Sequence, residues 1–99
     1  MLFGLKETEV EKIKSIFNKY TQIKEAYIYG SRAKGNYHPG SDIDIALKGK
    51  EINLELLNKI SLELDDLLLP QKFDISIYHH IKNTELLEHI NRVGKKLYP

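Results

Sequence analysis

Asp42-Ile43-Asp44 is the stretch of this sequence with the most evident chemistry. Two carboxylates two residues apart on a β-strand project from the same face. Held that close, they repel each other unless one is protonated or a cation lies between them. Hard oxygen donors of this kind suit Mg²⁺, with Mn²⁺ as the alternative. A third acid, Asp74, stands between Phe73 and Ile75 in a second β-prone run. If the two strands pair, three carboxylates converge and can hold two ions, the arrangement that clamps attacking and leaving oxygens in phosphoryl transfer. Just upstream, Tyr29-Gly30-Ser31-Arg32-Ala33-Lys34-Gly35 is a glycine–serine turn followed by two cations. Gly30 allows a close backbone approach, Ser31 adds a hydroxyl donor, and Arg32 and Lys34 bring positive charge for phosphate oxygens. Any one of these aspartates alone reads better as the solvated face of a half-covered sheet. The trio, set directly behind a phosphate-friendly turn, reads better as a metal site.

The elements that must position these residues follow from periodicity. Residues 7–20 form an amphipathic helix with Val10, Ile13, Ile16, Phe17 and Tyr20 on one stripe, and Thr8 and Glu11 have capping-box spacing. A short strand over Ala26–Tyr29 stops at Gly30, and Tyr27 and Tyr29 are expected on the active-site face. Residues 30–41, with three glycines, a proline, two serines and an asparagine, are a loop holding one helical turn over Ser31–Lys34. Strand 42–47 puts Ile43, Ile45 and Leu47 on the face opposite Asp42, Asp44 and Ala46. Asn53 caps a helix reaching Leu69 before Pro70, with Leu56, Leu57, Ile60, Leu64, Leu67 and Leu68 as its buried stripe. A third strand over Lys72–Tyr78, a helix over Thr84–Val93 stopped at Gly94, and an edge strand over Lys96–Tyr98 complete the order. The expected fold class is α/β (α+β): a small mixed sheet with helices packed on one side.

Composition excludes several classes. Ninety-nine residues make one domain, 1–99, with 41% hydrophobic and 29% charged residues. A formal charge of +1 gives no basic face, so direct nucleic-acid binding is not expected. With no cysteine, thiolate catalysis and disulfides are excluded and a cytoplasmic location is the natural expectation. The charge-dotted segment Met1–Phe17 is neither a signal peptide nor a membrane span. His38 and the pair His79-His80 lack metal-site spacing and read as solvated, as do Glu63, Asp65 and Asp66. The six tyrosines read as core and rim residues, because no basic stripe accompanies them.

Gly30-Ser31-Arg32-Ala33-Lys34-Gly35 followed by Ser41-Asp42-Ile43-Asp44-Ile45-Ala46, with ten residues between Ser31 and Asp42, closely resembles the signature of the DNA polymerase beta nucleotidyltransferase superfamily. The likeness is greatest to its minimal nucleotidyltransferase branch, and Phe73-Asp74-Ile75 is similar to the site of that family's third carboxylate. The resemblance implies a polymerase-beta-like fold and transfer of a nucleoside monophosphate, AMP from ATP in the first instance, with release of pyrophosphate. It implies Asp42, Asp44 and Asp74 as catalytic metal ligands for two Mg²⁺ ions. Asp74 would also help deprotonate the acceptor, and Gly30, Ser31 and Arg32 would bind the nucleotide. It further implies a helical HEPN toxin as partner in a hetero-oligomer, the chain acting as an antitoxin that modifies a tyrosine of an RNase toxin. Two other readings remain at this point: a catalytic subunit that nucleotidylates a small molecule with a helical partner, and a non-catalytic scaffold that occludes a toxin.

Overall fold

The computed structural model describes residues 2–99. Helix α1 covers Glu7–Asn18 and buries Val10, Ile13, Ile16 and Phe17. Its start is set by Glu9, whose carboxylate accepts the Lys6 N–H at 2.8 Å, so the Thr8/Glu11 pair is not the cap. Tyr20 lies past the helix end, where its hydroxyl donates to Glu63. Glu63 also pairs with Lys19 at 2.6 Å, tying α1 to the later helix instead of simply facing water.

Strand β1 (Glu25–Tyr29) leads through Gly30 into α2 (Ser31–Lys34), and β2 covers Ile43–Lys48. Helix α3 (Leu54–Asp65) is capped as expected, the Asn53 Oδ1 accepting from Leu56 N–H at 2.9 Å. It ends four residues before Leu69. Pro70 disfavours helical geometry at the residue before it, and the chain unwinds through i→i+3 bonds from Leu67 and Leu68. Leu68, expected in the buried stripe, takes a φ of 57° and is 87% exposed. Strand β3 (Phe73–Ile77) runs into a 3₁₀ turn at Tyr78–His80, followed by α4 (Thr84–Val93) and β4 (Lys95–Tyr98). Gly94 does stop α4, with an extended backbone and its N–H on the Ile90 carbonyl at 2.8 Å.

The sheet order is β3-β2-β1-β4. β1 is antiparallel to both β2 and β4, whereas β2 and β3 are parallel, joined by the α3 crossover. One face, with Ala26, Ile28, Ile43, Ile45 and Leu47 at 0% exposure, packs against α1 and α3. The mixed sheet with its main helices on one side is thus as expected, and α4 alone departs from it. Ile90 buries Tyr29 and Ala46 on the reverse face, because Ala46 is small enough there for a helix to come close. No helix of the described residues is long and apolar enough to cross a membrane. Ile45→Ala, which empties the centre of the main core, is expected to cost about 2–5 kcal/mol in urea unfolding. A loss below about 1 kcal/mol would mean that this layer is not close-packed.

Candidate active site

Parallel pairing of β2 with β3 puts Asp44 in register with Asp74, and antiparallel pairing of β1 puts Tyr29 opposite Asp44. Register partners share a face, so Tyr29, Asp44 and Asp74 form one row across three strands, with neighbouring strands about 4.8 Å apart. Asp42 lies just before β2, two residues from Asp44. Asp42 and Asp74 are exposed and Asp44 is half-buried. The structure therefore brings Asp44 and Asp74 together on one sheet face, with Asp42 near enough for its charge to act on Asp44.

Their charges feel one another. Burial, then the charges of Asp74 and Asp42, push the Asp44 carboxyl up from 3.8 to about 6, against an opposing pull from Arg32. Burial also raises the pKa of the Tyr29 hydroxyl; a hydrogen bond with Ser76 opposes this, and the charges of Asp74 and Asp44 add to it. At the strand spacing, two unit charges repel by about 3 kcal/mol with an effective dielectric near 20. Among the described residues the ion pairs are Lys19–Glu63, Arg92–Glu88 and Lys96–Glu25, none of which touches the three aspartates. Nor are the acids gathered into a cage: among the described residues no three acid or histidine side chains are grouped to hold an ion. The donor set is nonetheless that of a hard divalent cation, with oxygen ligands and a negative charge that the nearby Arg32 offsets only in part.

Gly30 closes the other side. Its φ of 73° lies in the region glycine favours. A Cβ here would fall on a carboxylate oxygen of Asp44, so any other residue would strain the backbone and push that carboxylate aside. Its N–H donates to Nε2 of His89 at 3.1 Å, so the amide expected to meet phosphate is engaged by α4. His89 also meets Tyr29 edge-on, with ring centroids 6.1 Å apart. Sequence reasoning missed His89. The signal was a polar residue at helical spacing from Leu86, Ile90 and Val93, on the apolar stripe of α4. Ser31 follows Gly30 as the first residue of α2 and is half-buried at the same end of the sheet.

Arg32 does not fill its expected place as a phosphate contact. It is 2% exposed, and its guanidinium is turned inward to the carbonyls of Phe3, Pro39 and Ser41. Lys34, by contrast, is exposed. A cavity of about 530 Å³ lies at the opposite end of the strands, near Lys24, Lys48 and Lys50, away from the three acids.

Residues 11–99 match the family described as polymerase beta, nucleotidyltransferase. No curated protein matches the chain. Among solved structures, it resembles a crystal structure of a toxin–antitoxin pair with AMP-PNP, at 23% identity and a TM-score of 0.72, over 94% of this chain and 73% of that one. It resembles the toxin–antitoxin complex MntA–HepT at 19% identity and a TM-score of 0.70, over 93% of this chain and 71% of that one. A complex from Shewanella oneidensis, a tri-AMPylated HEPN toxin with its MNT antitoxin, gives 19% identity and a TM-score of 0.70, over 94% and 71% of the two chains. At these identities the likeness is one of fold.

Two outcomes follow from the crowded carboxyls. A carboxyl whose folded pKa lies above its unfolded value stabilises the fold below about pH 4, and that stability is lost as pH rises through about 6. The full displacement corresponds to about 3 kcal/mol, which solvent screening at a half-exposed group cuts to about 1 kcal/mol. In metal-free buffer, Asp44→Asn is therefore expected to be about 1 kcal/mol more stable than wild type near pH 7.5 and equal to it near pH 4. Urea melts showing no difference at either pH would contradict the burial and charge crowding of Asp44. Gly30→Ala is expected to lose about 1–3 kcal/mol, the cost of a strained backbone, in the same assay; an unchanged midpoint would mean that Asp44 yields freely.

Proposed function

The chain belongs to the polymerase beta nucleotidyltransferase family, and on that premise we propose that it transfers AMP from ATP onto a hydroxyl, that of a tyrosine on a HEPN-type toxin to which it is the antitoxin. The observation that carries this reading is the register of Asp44 against Asp74 beside a glycine whose missing Cβ leaves room for the Asp44 carboxylate. That family generally uses divalent metals. The similarity to a toxin–antitoxin pair holding AMP-PNP, and to an MNT antitoxin beside an AMPylated HEPN toxin, supports the choice of nucleotide and acceptor.

Asp42, Asp44 and Asp74 would hold Mg²⁺, or Mn²⁺ in its place. When bound, such ions offset the charge of the triphosphate and polarise the α-phosphoryl group. Gly30 gives the Asp44 carboxylate its room beside the turn, and the Ser31 hydroxyl would donate to a phosphate oxygen. Asp74, exposed like Asp42 but on the edge strand of the sheet, would be the carboxylate that meets an incoming hydroxyl. It takes the proton as the acceptor oxygen bonds to the α-phosphorus. The bond from that phosphorus to the bridging oxygen of the β-phosphate breaks, and pyrophosphate leaves.

The test uses the purified chain, a HEPN-type protein from the same organism, Mg²⁺ and ATP labelled at either the α- or the γ-phosphate. The α-label is expected on a tyrosine of the partner and the γ-label is not. Asp42→Asn is expected to lower transfer at least about 100-fold, the scale of losing one charge-stabilising group. An unlabelled partner, or an Asp42→Asn protein as active as wild type, would overturn the reading.

A further inference from the structure

Arg32 is among the largest fully buried side chains of this chain, and it is charged. The Nε and Nη2 groups both donate to the Ser41 carbonyl, at 3.1 and 2.9 Å, and Nη2 also reaches the Pro39 carbonyl at 3.1 Å. Nη1 donates to the Phe3 carbonyl at 2.8 Å, and the Tyr37 ring lies 5.2 Å from the guanidinium carbon. One planar group thus ties three stretches of chain together: the turn after β1, the loop before β2 and the N-terminal segment.

We infer that Arg32 is a positioning residue of the transfer site: it holds the loop that delivers Asp42, and the N-terminal turn completes its cage. This rests on the reading under Proposed function that Asp42 is a metal ligand. Ser41, which takes two of the four bonds, is the residue before Asp42. Its own loop is closed by Ser41 N–H on the His38 carbonyl at 2.9 Å and by His38 N–H on Ser41 Oγ at 2.8 Å. Fixing the Ser41 carbonyl therefore fixes where the chain enters β2, and with it the step from Asp42 to Asp44.

The N-terminal side is built to match. Leu2 and Leu5 exchange backbone hydrogen bonds at 3.2 and 2.8 Å around Phe3 and Gly4, whose φ values are 58° and 74°. Leu5 is fully buried and anchors the turn. A Cβ on Gly4 would strike the Tyr37 ring and crowd Arg32 Nη1. The turn is thus shaped to bring one carbonyl to the guanidinium. Lysine cannot replace this fork, since a single ammonium cannot span carbonyl acceptors met by three nitrogens of one plane.

The test compares wild type, Arg32→Lys and Gly4→Ala, the last changing no residue of the site. Calorimetry with Mn²⁺ and AMP-PNP reads ion affinity, and AMP transfer against Mg²⁺ concentration reads kcat and half-saturation. Groups that orient metal ligands affect affinity or activity about 10- to 100-fold when replaced. Arg32→Lys is expected to weaken Mn²⁺ binding at least about 10-fold and to lower kcat comparably at limiting Mg²⁺. High Mg²⁺ should restore part of that rate, with the KM for ATP little changed. Gly4→Ala should move the same quantities in the same direction by less.

A purely structural role would lower the melting temperature but leave ion affinity and kcat per folded molecule at wild-type values; that result would overturn the inference. If Arg32→Lys does not fold, Gly4→Ala decides on the same readouts. Weaker ion binding in the variants with no transfer even by wild type would leave the positioning role standing and remove the proposed function. Transfer by wild type with ion binding unchanged in the variants would do the reverse. No ion binding by wild type would remove the positioning role too.

Discussion

Like charges facing each other across paired strands are the constraint around which this domain is arranged. Parallel pairing of β2 and β3 leaves no freedom in the matter: once Ile43 and Ile45 are committed to the core, Asp44 must lie on the other face, in register with Asp74. The apolar face thus determines where the carboxylates go, and the energy of burying several isoleucines exceeds the screened cost, about 1 kcal/mol, of crowding and burying the Asp44 carboxyl. Asp44 carries the strain, being the most enclosed of the three, with its carboxyl pushed up to about 6 by burial and by the charges of Asp74 and Asp42. A site of this kind is poised to accept positive charge, because a cation removes a repulsion that the fold maintains.

The surroundings keep that site open and fixed. Gly30 gives Asp44 its space, and α4 crosses the reverse face only where Ala46 and Tyr29 form an apolar seat for Ile90. His89 ties the helix to the glycine turn through the Gly30 amide. On the other side Arg32 is drawn into the body of the domain, so its charge reaches Asp44 without forming an ion pair with it. The acidic row is thus bordered by a glycine, an imidazole and a buried guanidinium, each held by backbone groups.

Much of this was legible in the sequence, and the exceptions have physical causes. Element order, the Asn53 cap and the assignment of Ile43, Ile45 and Leu47 to the core follow from periodicity and hold in the structure. Strand alternation also puts Asp44 on the face opposite Ile43 and Ile45, while Asp42 lies just before β2, and a lone acid between Phe73 and Ile75 points to the neighbour of Asp44. Alternation cannot give register, however, and the meeting of Asp44 with Asp74 depended on which residues the α3 crossover brings side by side. Arg32 misled because a basic residue after a glycine–serine turn looks like a phosphate ligand. The carbonyls that capture it come from Phe3, Pro39 and Ser41, and backbone acceptors leave no mark in a sequence. Leu68 misled because its apolar side chain continued a helical stripe, while Pro70 had already ended the helix.

Anomalous diffraction from a crystal of this chain soaked with Mn²⁺ and AMP-PNP bears most directly on the central claim. Mn²⁺ density is expected to bridge Asp42, Asp44 and Asp74, with carboxylate oxygens within about 2.5 Å. Mn²⁺ bound elsewhere, or no ion at this end of the sheet while the nucleotide is in place, would contradict it.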